Sequence, residues 1–447
     1  MQNNFRGEHI LIVGFSRTGL AAANFLFAKG AVVYISDTKP LEQLKDSFSE
    51  LEGEPEKMYC GKQELEQLNG IHKVVLSPGV PRTIPLIKKA QEQNIPVLSE
   101  IELAYRHLPK DVKIIGITGT DGKTTTTNII SEMLKTTYTV YTGGNIGTPF
   151  LSFLDKVKSG DFVVLELSSY QLEHNETFKC DTACILNISQ DHLDRYPGFD
   201  DYISAKENIL KTQDKNSVSI LNKDSGYFSR HKKFVKGNLI SFSLTDKKSN
   251  AFIDNNNIVY NSSNICHTNI IKIQGVHNLE NILCAVAVAK QYNVENKDII
   301  SVLETFSGLE HRNEFVDNIN GIDFINDSKA TTVNSVKKAI QSQNKPIILL
   351  LGGRDKGLDF SELNSLIDEK VKHVVLFGEA MQKIASQLNR TGNIDMVSEF
   401  ELAVQTAYKR SISGDVVLLS PGCTSWDAFK SYEHRGKVFK KIVRGLK

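Results

Sequence analysis

Short apolar runs alternate with stretches of helical periodicity along this chain, and together they fall into three blocks. The first opens on "HILIVG", passes through "TGLAAANFLFAKG", whose apolar residues recur at helical spacing, and reaches "VVYISD", ending at Asp37. The second opens on "VKIIGITG", continues as a helix from about Thr124, and adds the runs "TVYTGG", "DFVVLELSS" and "TACILNIS". The third carries "PIILLLGG", "HVVLFG" and "DVVLLSPG", with helical segments between them. Runs that are apolar on both faces predict parallel strands covered by helices on either side. Gly and Pro at many strand ends mark the turns toward those helices. The expected fold is α/β in three domains: a Rossmann-like N-terminal domain at 1–103, a central mononucleotide-binding parallel sheet at 104–308, and a Rossmann-like C-terminal domain at 309–447. The helix "SEIELAYRHL" before Pro109 and the segment "TFSGLEHRNEF" mark the two linkers, and "DNNNIVYNSSNICHTN" reads as a hairpin or surface loop.

Length and charge narrow the function. A chain of 447 residues has room for two to four domains, each with its own core. Its 53 basic and 52 acidic residues are interspersed, so no nucleic-acid partner is expected. The apolar run in "MQNNFRGEHILIVG" is cut by Gly14 and Arg17, and no run reaches membrane-spanning length. A cytoplasmic protein without a membrane partner is the expectation. Six cysteines without a C-x-x-C pair argue against a disulfide framework or a zinc site and read as buried thiols.

Chemistry concentrates at strand ends. "KIIGITGTDGKTTTTNII" approaches the phosphate-loop template G-x-x-x-x-G-K-[ST], but Ile117 stands where its first glycine belongs. Gly119, Gly122 and the pair Lys123-Thr124 fall between strand and helix, where backbone N–H groups surround phosphate oxygens. Lys123 then supplies charge, and the Thr124 hydroxyl can ligate Mg²⁺. The plainer alternative is a glycine-rich turn that packs helix on strand. Glu166 ends one strand and His192 follows the next, while Lys206 in "ISAKENIL" reads as a surface lysine. "VGFSRTG" imitates the dinucleotide fingerprint with Ser16 in place of the middle glycine and Asp37 at the following strand end, so an NAD-binding domain is one alternative. Asp327 and Lys329 follow another strand, and Lys356 lies in "GGRDKG"; two lysines near one cleft suit a dianionic amino acid, whereas charged surface loops are the alternative. Asn278 and Asn281 share one helical face.

"GITGTDGKTT" closely resembles the nucleotide loop of the Mur ligase superfamily, which joins a carboxylic acid to an amino acid at the expense of ATP. With "GGNIG", "LELSSYQLE", "NISQDHLDR", "INDSKATT" and "LSPGCTSWDAF", the chain resembles the branch that adds D-glutamate to UDP-N-acetylmuramoyl-L-alanine in peptidoglycan precursor synthesis. The resemblance covers essentially the whole chain. It implies ATP held by Gly119, Thr120, Gly122, Lys123, Thr124 and Thr125, with Asn278 and Asn281 near the base, and two Mg²⁺ ions placed by Thr124, Glu166, His192 and a carbamylated Lys206. It assigns the uracil end of the substrate to Phe15, Ser16, Asp37 and Thr38, with Gly79 on the same crevice and Asn145 and Gln171 completing the contacts. D-Glutamate is expected among Thr331, Lys356, Ser425, Trp426 and Tyr432, with Asp327 and Lys329 nearer the ATP. Arg312 would reach the γ-phosphate when the third domain closes. A monomer is expected. Departures from the pattern are Asp121 for a usual asparagine, Trp426 for an aliphatic residue and Tyr432 for phenylalanine. The rivals are ligases of the same superfamily that add another amino acid or extend folate, a nucleotide-dependent switch, and an NAD(P) oxidoreductase.

Overall fold

The computed structural model describes residues 5–446 apart from 174, 192–194, 274, 309, 356 and 390–391, and apart from the side chain of Asp46. Three sheets organise the chain. The first contains β1 (His9–Val13), β2 (Val32–Asp37), β3 (Lys57–Cys60), β4 (Lys73–Leu76) and β5 (Val97–Ser99), in the order β3-β2-β1-β4-β5. All its pairings are parallel. The order reverses between β1 and β4, so the loops leaving these two strands part and leave a crevice of the kind that holds ligands in doubly wound folds.

The second sheet is built from β6 (Lys113–Thr118), β7 (Val140–Gly144), β8 (Phe162–Glu166), β9 (Thr182–Ile185), β10 (Val218–Asn222), β11 (Asn238–Ser243), β12 (Ala251–Asp254), β13 (Asn257–Tyr260) and β14 (Ser263–His267). Its order is β14-β13-β12-β11-β10-β9-β6-β8-β7. The polar stretch at 254–269 forms hairpins: β12, β13 and β14 run antiparallel, turning through left-handed Asn255, Asn256, Asn261 and Ser262. The third sheet has β15 (Glu314–Ile319), β16 (Ile322–Asn326), β17 (Ile347–Gly352), β18 (Val371–Phe377), β19 (Ile394–Val397) and β20 (Val416–Gly422), in the order β15-β16-β20-β17-β18-β19. Only β15 is antiparallel to its neighbour. Along β17 the alternation is visible: Ile347, Leu349 and Leu351 join the core on one face, Ile348 and Leu350 that on the other.

The chain forms two compact units, Met1–Thr305 and Phe306–Lys447. Within the first, one apolar core runs from the first sheet into the second, joining Phe25, Leu26, Ile101 and Leu103 to Phe150, Leu151 and Leu154. The position 103/104 expected as a domain limit falls inside the helix Glu100–Arg106, which serves both sheets. Among the described residues no helix is long and apolar enough to cross a membrane. All six cysteines are free, four buried and Cys60 and Cys266 half-buried.

Candidate active site

β6 delivers the chain to the loop 119–122, and the helix Lys123–Lys135 begins directly after it. Gly122 sits at φ 80°, and a Cβ there would stand 2.2 Å from Asn281 Oδ1. The loop therefore needs glycine twice over, for backbone conformation and for the close approach of Asn281. Asn281 in turn donates to Asn278 Oδ1 at 3.2 Å, so the two asparagines meet beside the loop. The other loop positions are tied to the strand β9 side. Thr120 N–H donates to the Asn187 carbonyl at 3.0 Å and Asp121 N–H to Asn187 Oδ1 at 2.8 Å. The Thr120 hydroxyl lies 3.1 Å from that of Tyr202 and accepts from Ser189 N–H at 3.0 Å.

Two lysines converge on this loop. Lys123 Nζ donates to the carbonyls of Gly119 at 2.9 Å and Thr120 at 2.7 Å, and Lys206 Nζ donates to the same Gly119 carbonyl at 2.8 Å. The surface reading of Lys206 is overturned, because its side chain lies at 2% exposure with the ammonium 4.7 Å over the Tyr202 ring. Its helix, Phe199–Lys211, buries Tyr202, Lys206 and Ile209 at i, i+4 and i+7, a periodicity that could have revealed the burial. Loss of water and the neighbouring Lys123 charge hold the Lys206 amine well below the usual lysine range. Glu166, at the end of β8, is buried beside them in register with Ile117. Its Oε1 accepts from Asn145 Nδ2 at 2.8 Å, whereas Oε2 has no hydrogen-bond partner among the described residues. A buried carboxylate oxygen left open near Lys206 suits a hard cation, and Mg²⁺ takes few protein ligands. His192 lies outside the described residues. Thr124 is buried at the first turn of the loop helix and Thr125 is half-buried.

On the first sheet, Gly14 and Gly19 meet closely, since a Cβ on Gly19 would stand 2.3 Å from the Gly14 carbonyl. Asp37 closes the loop: one carboxylate oxygen accepts from Phe15 N–H at 2.6 Å, the other from Lys39 N–H at 2.8 Å. Phe15 is buried and stacked on Phe48 at 4.8 Å, Ser16 caps the following helix without a side-chain bond, and Thr38 is exposed. Gly79 is exposed, its carbonyl accepting from Arg195 at 3.2 Å. Asn145 attends Glu166, and Gln171 Oε1 accepts from Ser168 in a capping box, so both side chains already have protein partners.

The second unit holds its own cluster at the ends of β16 and β20. Asp327 accepts from Ser420 Oγ at 2.9 Å and from Asn313 N–H at 3.1 Å, and burial pushes its carboxyl up to about 7. Lys329 Nζ lies 5.7 Å over the Tyr432 ring, and Thr331 is half-buried on the same segment. Ser425 is buried, while Trp426 beside it is two-thirds exposed. Arg312 is exposed, and Lys356 lies outside the described residues. Arg435 went unrecognised in the sequence. It is completely buried and donates to the Ser328 hydroxyl and carbonyl and to the carbonyls of Cys423 and Thr424, stapling the Lys329 and Ser425 segments together. Burial lowers its guanidinium to about 10. The only hint was its spacing with Phe439 along the amphipathic C-terminal helix.

Known proteins align with this chain end to end. Three family models match in order: the Mur ligase MurD-like N-terminal domain at 8–99, the Mur ligase middle domain at 117–289, and the Mur ligase glutamate ligase domain at 311–423. The UDP-N-acetylmuramoylalanine–D-glutamate ligase of Caldicellulosiruptor bescii is 40% identical over 452 residues, with 99% of each chain covered. The protein of that name from Clostridioides difficile is 38% identical over 451 residues, covering 99% of this chain and 100% of the relative. Among solved structures, UDP-N-acetylmuramate-alanine ligase from Thermotoga maritima aligns with a TM-score of 0.58 at 18% identity, covering 98% of this chain and 100% of the other. A UDP-N-acetylmuramoyl-L-alanyl-D-glutamate–2,6-diaminopimelate ligase gives 0.58 at 16% identity, with 99% and 93% covered. At these identities the two structures speak for the fold alone.

Proposed function

This chain belongs to the Mur ligase family, and from that premise we propose that it joins D-glutamate to UDP-N-acetylmuramoyl-L-alanine, converting ATP to ADP and phosphate, in peptidoglycan precursor synthesis. The observation that carries the reading is the convergence of Lys123, Lys206 and the half-open Glu166 carboxylate on one phosphate-type loop. In the first step a carboxylate oxygen of the substrate attacks the γ-phosphorus, the bond to the β-phosphate oxygen breaks, and ADP leaves an acyl phosphate. The amine of D-glutamate then attacks the acyl carbon, loses a proton, and phosphate departs as the amide forms. Both partners in the first step are anions, so the site must concentrate positive charge. Lys123 and Arg312 supply part of it. Mg²⁺, which Thr124, Glu166, His192 and a modified Lys206 would hold, neutralises phosphate charge when bound.

The neutral state favoured at Lys206 suits carbamylation, because only an uncharged amine adds CO₂; the product is an anion in place of a cation. Two Mg²⁺ ions are proposed on that basis. The remaining assignments keep the division expected from sequence. Residues 1–103 take the UDP end through Phe15, Ser16, Asp37, Thr38 and Gly79, with Asn145 and Gln171. Residues 104–308 take ATP through the loop, Asn278 and Asn281. Residues 309–447 take D-glutamate through Thr331, Lys356, Ser425, Trp426 and Tyr432, with Asp327 and Lys329 toward the nucleotide. Every proposed group is on one chain, so a monomer working in the cytoplasm suffices.

The test is ADP release with UDP-N-acetylmuramoyl-L-alanine as acceptor and a panel of amino acids. Release with D-glutamate, and not with L-glutamate, L-alanine or a diamino acid, is expected. Release that ignores the amino acid would favour a nucleotide switch, and preference for another amino acid would reassign the substrate.

A further inference from the structure

The turn at 310–313 that carries Arg312 is held more firmly than a connecting segment requires. His311 and Asn313, on either side of Arg312, are both left-handed, at φ 66° and 44°. A left-handed backbone is uncommon outside glycine, and two such residues flanking one arginine call for groups that hold them there. The fixing groups can be named. Glu314 opens β15 directly opposite Asn326 of β16. Its Oε2 accepts from His311 N–H at 2.8 Å and from Asn326 Nδ2 at 2.9 Å, and its Oε1 accepts from Lys440 Nζ at 2.8 Å. Lys440, on the helix Tyr432–Arg444, also donates to Glu310 at 2.7 Å, so the turn is gripped at both ends.

The same turn is bonded to two residues assigned to the reaction. Asn313 N–H donates to Asp327 Oδ1 at 3.1 Å, and Lys329 N–H donates to the His311 carbonyl at 3.0 Å. The His311 ring is buried under the C-terminal helix, where a Cβ on Gly436 would stand 2.1 Å from Nδ1. Glu310, Arg312 and Asn313 are all exposed, but Glu310 is paired with Lys440 and the Asn313 side chain is bonded to Ser342 and Gln343, which leaves Arg312 as the side chain of this turn best placed to meet a ligand.

We propose that Glu314, with Lys440 as its counter-ion, is a positioning residue for phosphoryl transfer, locking the turn so that Arg312, Asp327 and Lys329 are presented as one pre-set group. The proposal rests on the role given to Arg312 above. Glu314 itself touches none of the reacting groups; it acts by accepting from three donors. An alanine would leave the His311 N–H without an acceptor, while Asn326, still within reach of the His311 ring, and Lys440, still paired with Glu310, would each lose one. Preorganised charge loses its effect when the carrier wanders, since small misplacements of a phosphate-directed cation weaken the transition state more than substrate binding.

The experiment compares Glu314→Ala, Glu314→Gln and Lys440→Met with the unaltered chain, and repeats Glu314→Ala in an Arg312→Ala background. Glu314→Ala is expected to lower kcat about tenfold or more while KM for ATP and for D-glutamate moves less than about threefold. Gln, which retains an oxygen for His311 and Asn326, should recover most of the loss. In the Arg312→Ala background the same change should cost less than about twofold further, because the two act through one group. Full kcat in Glu314→Ala, or an equal loss in both backgrounds, overturns the proposal. Amide hydrogen exchange reads the clamp without reference to catalysis: residues 310–314 should exchange about tenfold faster in Glu314→Ala and in Lys440→Met, with β16 still protected. Unchanged exchange rejects the clamp even if the ligase is active. An unaltered chain without ligase activity rejects the functional reading instead, and exchange alone then judges the clamp.

Discussion

Lys206 places its ammonium on a loop carbonyl, where burial and the Lys123 charge both favour loss of the proton. If the amine carries CO₂, Lys206→Ala should lose about a hundredfold or more in ADP release, and formate or acetate should return part of it by replacing the missing carboxylate. Full activity in Lys206→Ala, or no response to short carboxylates, would exclude the carbamate. Glu100 poses a different problem. Its Oε1 accepts from Leu151 N–H at 2.7 Å, but Oε2 is buried with no hydrogen-bond partner among the described residues, and burial raises the carboxyl from 4.5 to about 7. The folded state thus holds this proton more tightly than the unfolded chain. The stability it contributes is present at low pH and lost as pH climbs from about 4.5 through about 7. Glu100→Gln keeps an acceptor for Leu151 and cannot ionise. It should stabilise the first unit by roughly 3 kcal/mol at pH 8 and by almost nothing near pH 4. Urea unfolding at the two pH values, followed by a probe in that unit, decides it.

The loop between β6 and its helix shows how glycine and asparagine divide the work of one element. Gly122→Ala meets both the left-handed φ and the Asn281 side chain, so it should cost about 1–2 kcal/mol or more of stability. It should also raise KM for ATP about tenfold, which nucleotide titration and steady-state kinetics would show. An alanine variant with unchanged KM would mean that the loop does not hold the nucleotide. This element was legible in the sequence because its demands are local: a strand, glycines at fixed offsets, and a helix start within one short stretch. Glu166 was legible for a similar reason, as the carboxylate closing an apolar run. Lys206 and Arg435 were not read as buried, since their helical spacing with Tyr202, Ile209 and Phe439 places them on an inner face but a charge at such a position reads first as a solvated one. Asn145 and Gln171 were read as ligand contacts, a role the proposal keeps; the Gln171 bond to Ser168 follows the S-x-x-Q spacing of a capping box, whereas the Asn145 bond to Glu166 depends on how a loop folds back, which spacing does not encode. The short strands β3, β5 and β19, three to four residues each, carry too few apolar positions to announce themselves.

At the scale of the chain, the apolar runs disclosed three sheets, but the packing between the first two escaped them, because a shared core is made by helices whose partners lie far off in sequence. Phe25, Leu26, Ile101 and Leu103 bury themselves against Phe150, Leu151 and Leu154, so a fragment ending at residue 103 would expose them. Such a fragment should aggregate or remain loosely folded, whereas Phe306–Lys447, with cores on both faces of its own sheet, should fold alone with a cooperative thermal transition. Circular dichroism melts of the two fragments check this; a cooperative transition in the shorter one would show that the shared core is dispensable. One residue gives this molecule a built-in reporter. Trp426 is its sole tryptophan, stands 66% exposed next to buried Ser425, and adjoins the segment assigned to the incoming amino acid. Its emission should therefore shift to shorter wavelength and resist acrylamide as that pocket fills, so occupancy could be titrated optically on the unlabelled protein.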